Sequence, residues 1–351
     1  MHESEDYVAF AGTDYLGLSR DERVVAAAIR AARDYGLCVS SSRAAMGTID
    51  LHLLLEARLG RFLGAEDAFA YVSGFLGGQT FLGIHAGTDC EVFIDERSHG
   101  SLRLGAHAYK LPVTPYRHLD ANDLADRLAR STAGTRVVAT DGIFGMTGAI
   151  PPLVDLARAA GACGATLLVD DAHGVGAMGP TGRGTLEHVG LGPADAVIMG
   201  SLSKALGGGG GFLAGPKAVI DRVRRTPPAL GATPISPAYS AAAIQAIDIV
   251  EHEPECRERL FENADRLRTG LARLGLRTGG EPTPIVPISF AGADEAQAAS
   301  AALRRAGILV PWFDYGADDD PGILRAAARA IHTPADIGRF VAALTDFVAE
   351  S

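Results

Sequence analysis

The sequence predicts an α/β protein with a mainly parallel central sheet and a smaller C-terminal domain. Two apolar runs, residues 166–169 and 196–199, each end abruptly in polar side chains, as buried parallel strands do where they open onto a crevice. Apolar residues in the stretches between predicted strands recur at helical spacing, which indicates that strands and helices alternate. The length of 351 residues suits one large domain together with a smaller one.

The N-terminal region predicts two elements in succession. Residues 8–18 have the pattern of a short strand followed by a turn. Residues 21–35 predict a helix, because apolar residues recur on one face and Ser19 or Asp21 can cap its first turn.

The next predicted helix carries an apolar stripe over residues 51–63, so it packs into the protein. We expect His52 on this helix to be a core or interface histidine and not a catalyst. Further strands are predicted over residues 68–72, 91–95, 136–141 and 211–215.

The C-terminal part predicts a compact α/β domain. A long helix is expected from about residue 240, followed by strands over residues 285–288 and 308–310 with a helix between them. The predicted organisation is an N-terminal segment and helix over residues 1–35, a large domain over 36–240 and a small domain over 241–351.

The composition excludes several classes of protein. A net charge of -10 argues against a nucleic-acid-binding face, and no long apolar run predicts a membrane span. The first residues, MHESEDYVAF, lack the basic and apolar regions of a signal peptide, so we expect a cytoplasmic protein. Four scattered cysteines without a CxxC pair indicate reduced thiols and neither a disulfide framework nor a zinc site.

Two predicted strand ends deliver groups that one cofactor requires together. Residues 170–174 provide Asp170 and His173, and residues 200–204 provide Ser201 and Lys204 beside a glycine tract. Pyridoxal 5'-phosphate (PLP) needs a lysine for its Schiff base and a carboxylate that keeps its pyridine nitrogen protonated. A solvated lysine or a capping aspartate is common alone, but the paired strand ends favour PLP.

A third feature suits the phosphate of that cofactor. The strand over residues 68–72 leads through Ser73 and Gly74 to Phe75, where a helix is expected to begin. Backbone N–H groups and the helix dipole converge at such a turn and favour an anion.

The segments VDDAHGVGAMGPTGRG and GSLSKALGGGGG resemble the α-oxoamine synthase family, which includes 8-amino-7-oxononanoate synthase and 2-amino-3-ketobutyrate CoA ligase. Further similarity extends from Asp14 to His332. The resemblance implies the fold of fold-type I PLP-dependent transferases, with a seven-stranded sheet completed by an antiparallel strand at residues 211–215. It also implies a homodimer that condenses an amino acid with an acyl thioester, usually with decarboxylation, to give an α-amino ketone.

The resemblance implies catalytic roles for four side chains. Lys204 holds PLP as a Schiff base and then takes the α-proton of the substrate. Asp170 holds the proton of the pyridine nitrogen, and His173 donates a hydrogen bond to the ring's 3-oxygen. His99 lies flat over the ring and assists proton movement.

Other residues are implied to bind the cofactor or the substrate. The phosphate is expected to contact Ser201 and the amides at Gly74 and Phe75, and Thr233 to reach it across the dimer interface. The remaining matched positions are Asp141 at the cofactor, Arg325 at the substrate α-carboxylate and Thr13 near the substrate.

Three positions depart from the family pattern. Thr13 replaces an Asn that lies near the substrate in relatives, so the substrate is expected to differ. Asp141 replaces Glu and Gly145 replaces Ser, so PLP is expected to bind less tightly. The chain also begins almost at its DYLGL segment, without the N-terminal elements that shape the active-site entrance in relatives. These features suggest a divergent branch in specialised metabolism, whose acyl donor is carried on a protein in place of CoA.

Two other functions stay open at this point. An aminotransferase or an aldolase-type lyase uses the same lysine, aspartate and stacking ring, because the outcome depends on which bond at Cα stands perpendicular to the PLP ring. A non-catalytic partner subunit is disfavoured, since Lys204, Asp170 and His173 are all present.

Overall fold

The computed structural model describes residues 7–313 and 322–350, so the first six residues of the predicted N-terminal segment lie outside it. The chain forms two compact units. The large unit comprises Leu18–Phe144 and Ile150–Glu253. The small unit comprises the described residues before Leu18, the short segment Gly145–Ala149 and the described residues from Pro254 onward.

The helices and strands follow in chain order. The α-helices are α1 (Glu22–Tyr35), α2 (Asp50–Leu63), α3 (Gly77–Leu82), α4 (Gly100–Ala108), α5 (Ala121–Arg130), α6 (Leu153–Ala162), α7 (Thr185–His188), α8 (Lys217–Val223), α9 (Pro227–Gly231), α10 (Pro237–His252), α11 (Glu255–Arg273), α12 (Ala293–Arg305) and α13 (Pro334–Glu350). The strands are β1 (Val8–Ala9), β2 (Asp67–Tyr71), β3 (Cys90–Asp95), β4 (Val113–Tyr116), β5 (Thr135–Asp141), β6 (Thr166–Asp170), β7 (Val197–Ser201), β8 (Gly211–Gly215), β9 (Arg277–Thr278), β10 (Ile285–Ser289), β11 (Ile308–Leu309), β12 (Trp312–Phe313) and β13 (Ile323–Ala327).

The large unit is built on a seven-stranded sheet with the order β2-β8-β7-β6-β5-β3-β4. Strands β3 to β7 run parallel, and β8 pairs antiparallel with both β7 and β2. The predicted sheet, including its antiparallel strand, is therefore confirmed. Because the carboxyl ends of parallel strands lie along one edge of a sheet, the polar residues that end β5, β6 and β7 are brought together.

A hydrophobic cluster fixes the helices against this sheet. Phe81 on α3, Leu102 on α4 and Ile220 on α8 are fully buried with Val137 and Leu213 of the sheet. Burying one such side chain contributes about 1.5–3 kcal/mol. The helices are therefore held against the sheet by this packing, which fixes the positions of the turns that precede them.

Helix α1 confirms the predicted helix and selects its cap. The Asp21 carboxylate accepts a hydrogen bond of 2.9 Å from the Arg23 N–H, and the helix ends at Gly36, which has a φ of 78°. Helix α1 packs against α10, which also packs against α2. The large unit therefore extends to Glu253, beyond the predicted division at residue 240.

The prediction of one long helix from residue 240 is wrong. Helix α10 ends at His252 and α11 begins at Glu255, with Pro254 between them. Proline has no N–H to donate and disfavours helical geometry at the residue before it, so the helix is interrupted there.

The small unit contains a four-stranded antiparallel sheet with the order β12-β13-β10-β9, together with α11, α12 and α13. Strand β1 pairs in parallel with β11, and the Phe10 ring stacks on His332 at 3.9 Å between centroids. The predicted N-terminal segment over residues 1–35 is thus divided: β1 belongs to the small unit and α1 to the large one. Among the described residues, no helix combines the length and apolar character required to cross a bilayer.

Candidate cofactor site

Three neighbouring strand ends form the centre of the candidate site in the large unit. The sheet register pairs Asp141 of β5 with Asp170 of β6, and Asp170 with Met199 of β7. Two residues beyond Met199, β7 ends at Ser201. The strand ends that the sequence singled out therefore lie side by side.

Lys204 and His173 meet beside these strand ends. The Lys204 Nζ lies 2.9 Å from the His173 Nε2, and both side chains are half-buried. His173 comes from the loop after β6 and Lys204 from the loop after β7. An amine and an imidazole at hydrogen-bond distance can pass a proton between them, so the pair can serve acid–base chemistry.

Asp170 is a buried carboxyl at the end of β6, with 7% of its surface exposed. Its Oδ1 accepts a hydrogen bond of 3.2 Å from the Ala172 N–H. Burial raises its pKa, while Lys204 and then His99 oppose the rise by stabilising the ionised form. A buried carboxylate in such surroundings suits pairing with a protonated ring nitrogen.

Asp141 connects β5 to the start of α4. Its carboxylate oxygens accept the His99 N–H at 3.1 and 3.3 Å, and His99 is the N-cap residue of α4. The His99 Nδ1 lies 2.7 Å from the Ser101 Oγ, and its exposed ring meets Phe75 edge-on at 5.9 Å between centroids. The orientation of the His99 ring is thus set from both ends of the side chain.

The turn after β2 forms a cradle that only glycine permits. A Cβ on Gly74 would lie 3.0 Å from the Ser201 Oγ, and a Cβ on Gly211 would lie 2.5 Å from the Gly74 Cα. The Ser201 and Ser203 hydroxyls lie 2.8 Å apart next to this turn. Hydroxyls beside exposed backbone at the start of a helical turn suit a phosphate.

These residues together fit PLP. Lys204 can form the Schiff base, Asp170 can pair with the ring nitrogen, and the cradle around Gly74 and Ser201 offers donors to the phosphate. Phe75 is exposed beside the cradle. Thr233 is exposed in the segment between α9 and α10, so its contact with a phosphate stays a prediction.

Asp171 is a residue of this site that sequence reasoning missed. It is fully buried and accepts hydrogen bonds from the Thr185 N–H at 2.7 Å and from the Thr185 hydroxyl. A Cβ on Gly174 or on Gly184 would lie 2.0 or 2.1 Å from an Asp171 carboxylate oxygen. The loop that carries His173 therefore folds around Asp171.

The signal for this arrangement was present in the sequence, as a second acid directly after Asp170 and glycines at positions 174 and 184. Burial raises the pKa of Asp171 to about 7, against the hydrogen bonds from Thr185 that favour the ionised form.

The other predicted site residues, Arg325 and Thr13, belong to the small unit. Arg325 lies on β13 with 7% of its surface exposed, and its Nε donates to the Gly145 carbonyl oxygen. Its terminal nitrogens lie 3.5 Å from the Gly12 carbonyl oxygen and from the Tyr15 hydroxyl. In the described parts of the chain, no carboxylate forms an ion pair with Arg325.

Burial determines the ionisation of Tyr15, which lies with Arg325 in the small unit. The pKa of Tyr15 is raised to about 12 by burial, although Arg325 stabilises its anion, so the phenol is neutral at physiological pH. Thr13 is half-buried and follows Gly12 directly. A buried guanidinium among neutral oxygens can accept an anionic ligand in bidentate geometry.

Comparisons with known proteins agree on one family. The model of the aminotransferase class I and II family matches residues 5–344. The chain is 38% identical over 343 residues to an 8-amino-7-oxononanoate synthase from Anaeromyxobacter dehalogenans, covering 96% of this chain and 85% of that protein. It is 36% identical over 345 residues to 8-amino-7-oxononanoate synthase 1 from Bacillus velezensis, covering 96% and 87%.

A solved structure extends this similarity to three dimensions. A serine palmitoyltransferase from S. paucimobilis with a bound PLP–myriocin aldimine superposes with a TM-score of 0.92 at 30% identity. The match covers 98% of this chain and 89% of that one. The similarity therefore includes both compact units.

Proposed function

This chain belongs to the aminotransferase class I and II family, and on that premise we propose how its residues divide the work of the reaction. It is a PLP-dependent acyltransferase of the α-oxoamine synthase type, which condenses an amino acid with an acyl thioester. Similarity to 8-amino-7-oxononanoate synthases and to a serine palmitoyltransferase favours this activity over amino transfer or aldol-type cleavage.

The observation that carries the proposal is the pair formed by Lys204 and His173, 2.9 Å apart at the edge where the ends of β5, β6 and β7 meet. Bound PLP supplies an electron sink for the charge that develops at the substrate Cα. Lys204 holds the cofactor and moves the proton at Cα, and His173 orients the lysine amine.

Other side chains hold the cofactor in place. Asp170 would pair with the ring nitrogen of bound PLP and favour its protonated form, and the His99 ring would provide a stacking surface for the cofactor. Ser201 and the turn at Gly74 and Phe75 bind the phosphate, for which the cradle around Gly74 is the support.

We assign the substrate α-carboxylate to Arg325. Its buried guanidinium has neutral oxygen partners among the described residues, so a carboxylate gains a charge-assisted, bidentate partner there. Thr13, next to the Gly12 carbonyl that Arg325 contacts, is proposed to contact the same substrate. The acyl group arrives as a thioester of CoA or of a carrier protein, and the product is an α-amino ketone.

We also propose that the enzyme is a cytoplasmic homodimer. Large apolar side chains on the large unit are exposed, with Met46 at 83% and Leu37 at 75% of their surface, and Leu53, Leu54 and Phe75 exposed as well. A second copy of the chain would remove this apolar surface from water. Thr233 would then complete the phosphate site of the partner.

Mixed dimers test this arrangement. A Lys204→Ala chain combined with a Thr233→Ala chain regains one intact site if Thr233 serves the partner, because lysine and threonine then come from the two unmutated positions. On equimolar mixing about half of the dimers are mixed and each mixed dimer has one intact site, so recovery of about a quarter of the wild-type activity is expected. No recovery, or a monomer by light scattering that binds PLP and turns over, would exclude this role of Thr233.

The central experiment compares Lys204→Ala with Lys217→Ala, a control on the exposed lysine at the start of α8. We expect the visible absorbance of lysine-bound PLP in the wild type and the control, and its loss in Lys204→Ala. Release of free thiol from CoA and carrier-protein thioesters, measured with each amino acid in turn, then identifies both substrates. Accumulation of pyridoxamine phosphate without thiol release would establish an aminotransferase instead.

A further inference from the structure

Two carboxyl groups lie side by side in the interior of the large unit. Asp141 and Asp170 are register partners on the neighbouring parallel strands β5 and β6. Paired residues of adjacent strands point to the same face of the sheet. Both are buried, with 6% and 7% of their surface exposed. Two adjacent carboxylates without water repel each other strongly, so ionising both is costly.

The surroundings of the two acids differ. Asp170 accepts the Ala172 N–H; burial raises its pKa, while Lys204 and then His99 oppose that rise. The Asp141 carboxylate accepts a hydrogen bond from the His99 N–H that is divided between its two oxygens, and it interacts with two other acids, Asp170 and Asp95.

Asp95 is a third acid near Asp141, and it adds to the rise in the pKa of Asp141. It is fully buried, with the His118 Nδ1 at 2.9 Å and the Leu119 N–H at 3.0 Å from its carboxylate oxygens. The groups that interact electrostatically with Asp141 are therefore Asp170, Asp95, Lys204 and Tyr116, together with the His99 N–H. Of these groups, Lys204 is the basic side chain, and it opposes the rise in the pKa of Asp141.

We propose that Asp141 is the neutral acid of this pair, and that the proton it keeps leaves Asp170 as the single anion facing the cofactor's ring. The inference rests on the proposed function only in the statement that Asp170 faces the ring of PLP. In the chain without cofactor it makes Asp141 a positioning residue, whose side-chain carboxyl oxygens hold the His99 N–H and which leaves the negative charge of the pair on Asp170 of β6. The direction of the pKa shifts agrees, because the pKa of Asp141 is raised well above its usual range by burial and by Asp170.

Three variants separate this proposal from a simple structural role. Asp141→Asn replaces a neutral acid by a neutral amide of the same shape, and it keeps the oxygen that accepts the His99 N–H. Asp141→Ala removes that oxygen, and Asp170→Asn removes the proposed anion. We expect Asp141→Asn to bind PLP within about threefold of the wild type, whereas Asp170→Asn loses more than about tenfold. Asp141→Ala should fall between them.

Proton binding by the chain without cofactor provides an independent readout. If Asp141 stays protonated in the folded chain, folding takes up a proton at pH values above the pKa of the unfolded chain, and stability falls as pH rises. Above the pKa of about 7 of Asp171, and as long as Asp141 keeps its proton, the wild-type folding constant should fall up to about tenfold more per pH unit than that of Asp141→Asn.

Infrared spectroscopy covers the case in which a variant does not fold. With labelled aspartate, wild-type protein without cofactor at about pH 8.5 should show the stretching band of a protonated, buried carboxyl. Absence of this band, or a loss of PLP affinity in Asp141→Asn as large as in Asp170→Asn, would overturn the proposal. A chain that binds no PLP at all would contradict the proposed function, while the stability and infrared measurements would still decide the protonation of Asp141.

Discussion

At the ends of β5, β6 and β7, acids and bases lie beside one another, whereas the Arg325 guanidinium in the small unit is buried among neutral oxygens. In the first region Asp170 and Asp141 compete for the same nearby cation, Lys204, so the chain itself sets their charges. In the second, carbonyls and a phenol of raised pKa contact the guanidinium, and no carboxylate within residues 7–313 and 322–350 forms an ion pair with it. The first region is therefore suited to hold a cofactor and move protons, and the second to bind an anion.

The largest expected effect concerns the pH dependence of the first region. Asp171 has a pKa of about 7 in the folded chain, above the usual value of about 4, so its proton is kept on folding and stability falls as pH rises from about 4 to about 7. This loss amounts to roughly 4 kcal/mol. Asp171→Asn should remove it, measured as urea unfolding at several pH values.

A matched comparison sharpens this difference between the regions. Arg325→Met also alters a buried charged group, but a guanidinium does not titrate in this range. The pH dependence of its unfolding should therefore match the wild type. If the free energy of unfolding of Asp171→Asn depended on pH as steeply as that of the wild type, the raised pKa of Asp171 would be contradicted.

The second prediction addresses the anion-binding region. Arg325→Ala should lower kcat/KM for the amino acid about a hundredfold, which corresponds to ~2.7 kcal/mol of lost charge-assisted binding. The affinity for PLP should stay unchanged, since PLP is held by the other cluster. Steady-state kinetics and PLP titration check both statements, with Arg277→Ala on the exposed edge of β9 as the control. A parallel loss of PLP affinity would mean that the two regions do not act separately.

The third prediction concerns a change that should weaken PLP binding without altering amino-acid binding. Gly74→Ala places a Cβ 3.0 Å from the Ser201 Oγ, so the phosphate cradle must widen, and the dissociation constant of PLP should rise about tenfold. With PLP saturating, the KM for the amino acid should not change. Gly161→Ala on α6 is the control, because an added Cβ there meets nothing within 4 Å. Equal PLP affinity in both variants would exclude the cradle as the phosphate site.

The smallest effect is expected for His99, which we propose to stack on the PLP ring. His99→Ala loses the acceptor for the Ser101 N–H at the N-cap of α4 and a stacking surface, which together should weaken PLP binding about fivefold. His107→Ala, an exposed histidine near the end of the same helix, should bind PLP like the wild type. Fluorescence titration with PLP distinguishes the two. A lower affinity for PLP in both variants would indicate a general effect on α4.

Local features of the chain were predictable because their signals lie within a few neighbouring residues. The apolar run before Asp170 became β6, and Asp21 caps α1 through a bond to a residue only two positions away. The glycine turn after β2 was visible for the same reason. The helix break at Pro254 was also encoded locally, but the continuing apolar pattern around it obscured the break.

The sequence by itself determined the class of fold and the polar ends of the central strands, and it predicted which lysine, aspartate and histidines serve the cofactor. The tertiary structure decided which of the adjacent acids Asp170 and Asp171 lies beside Lys204 and which is enclosed by Gly174 and Gly184. It also decided that β1 pairs with β11, about three hundred residues away, and that Gly145–Ala149 joins the small unit. Periodicity and turn chemistry act over a few residues, whereas these pairings depend on the packing free energy of the whole chain.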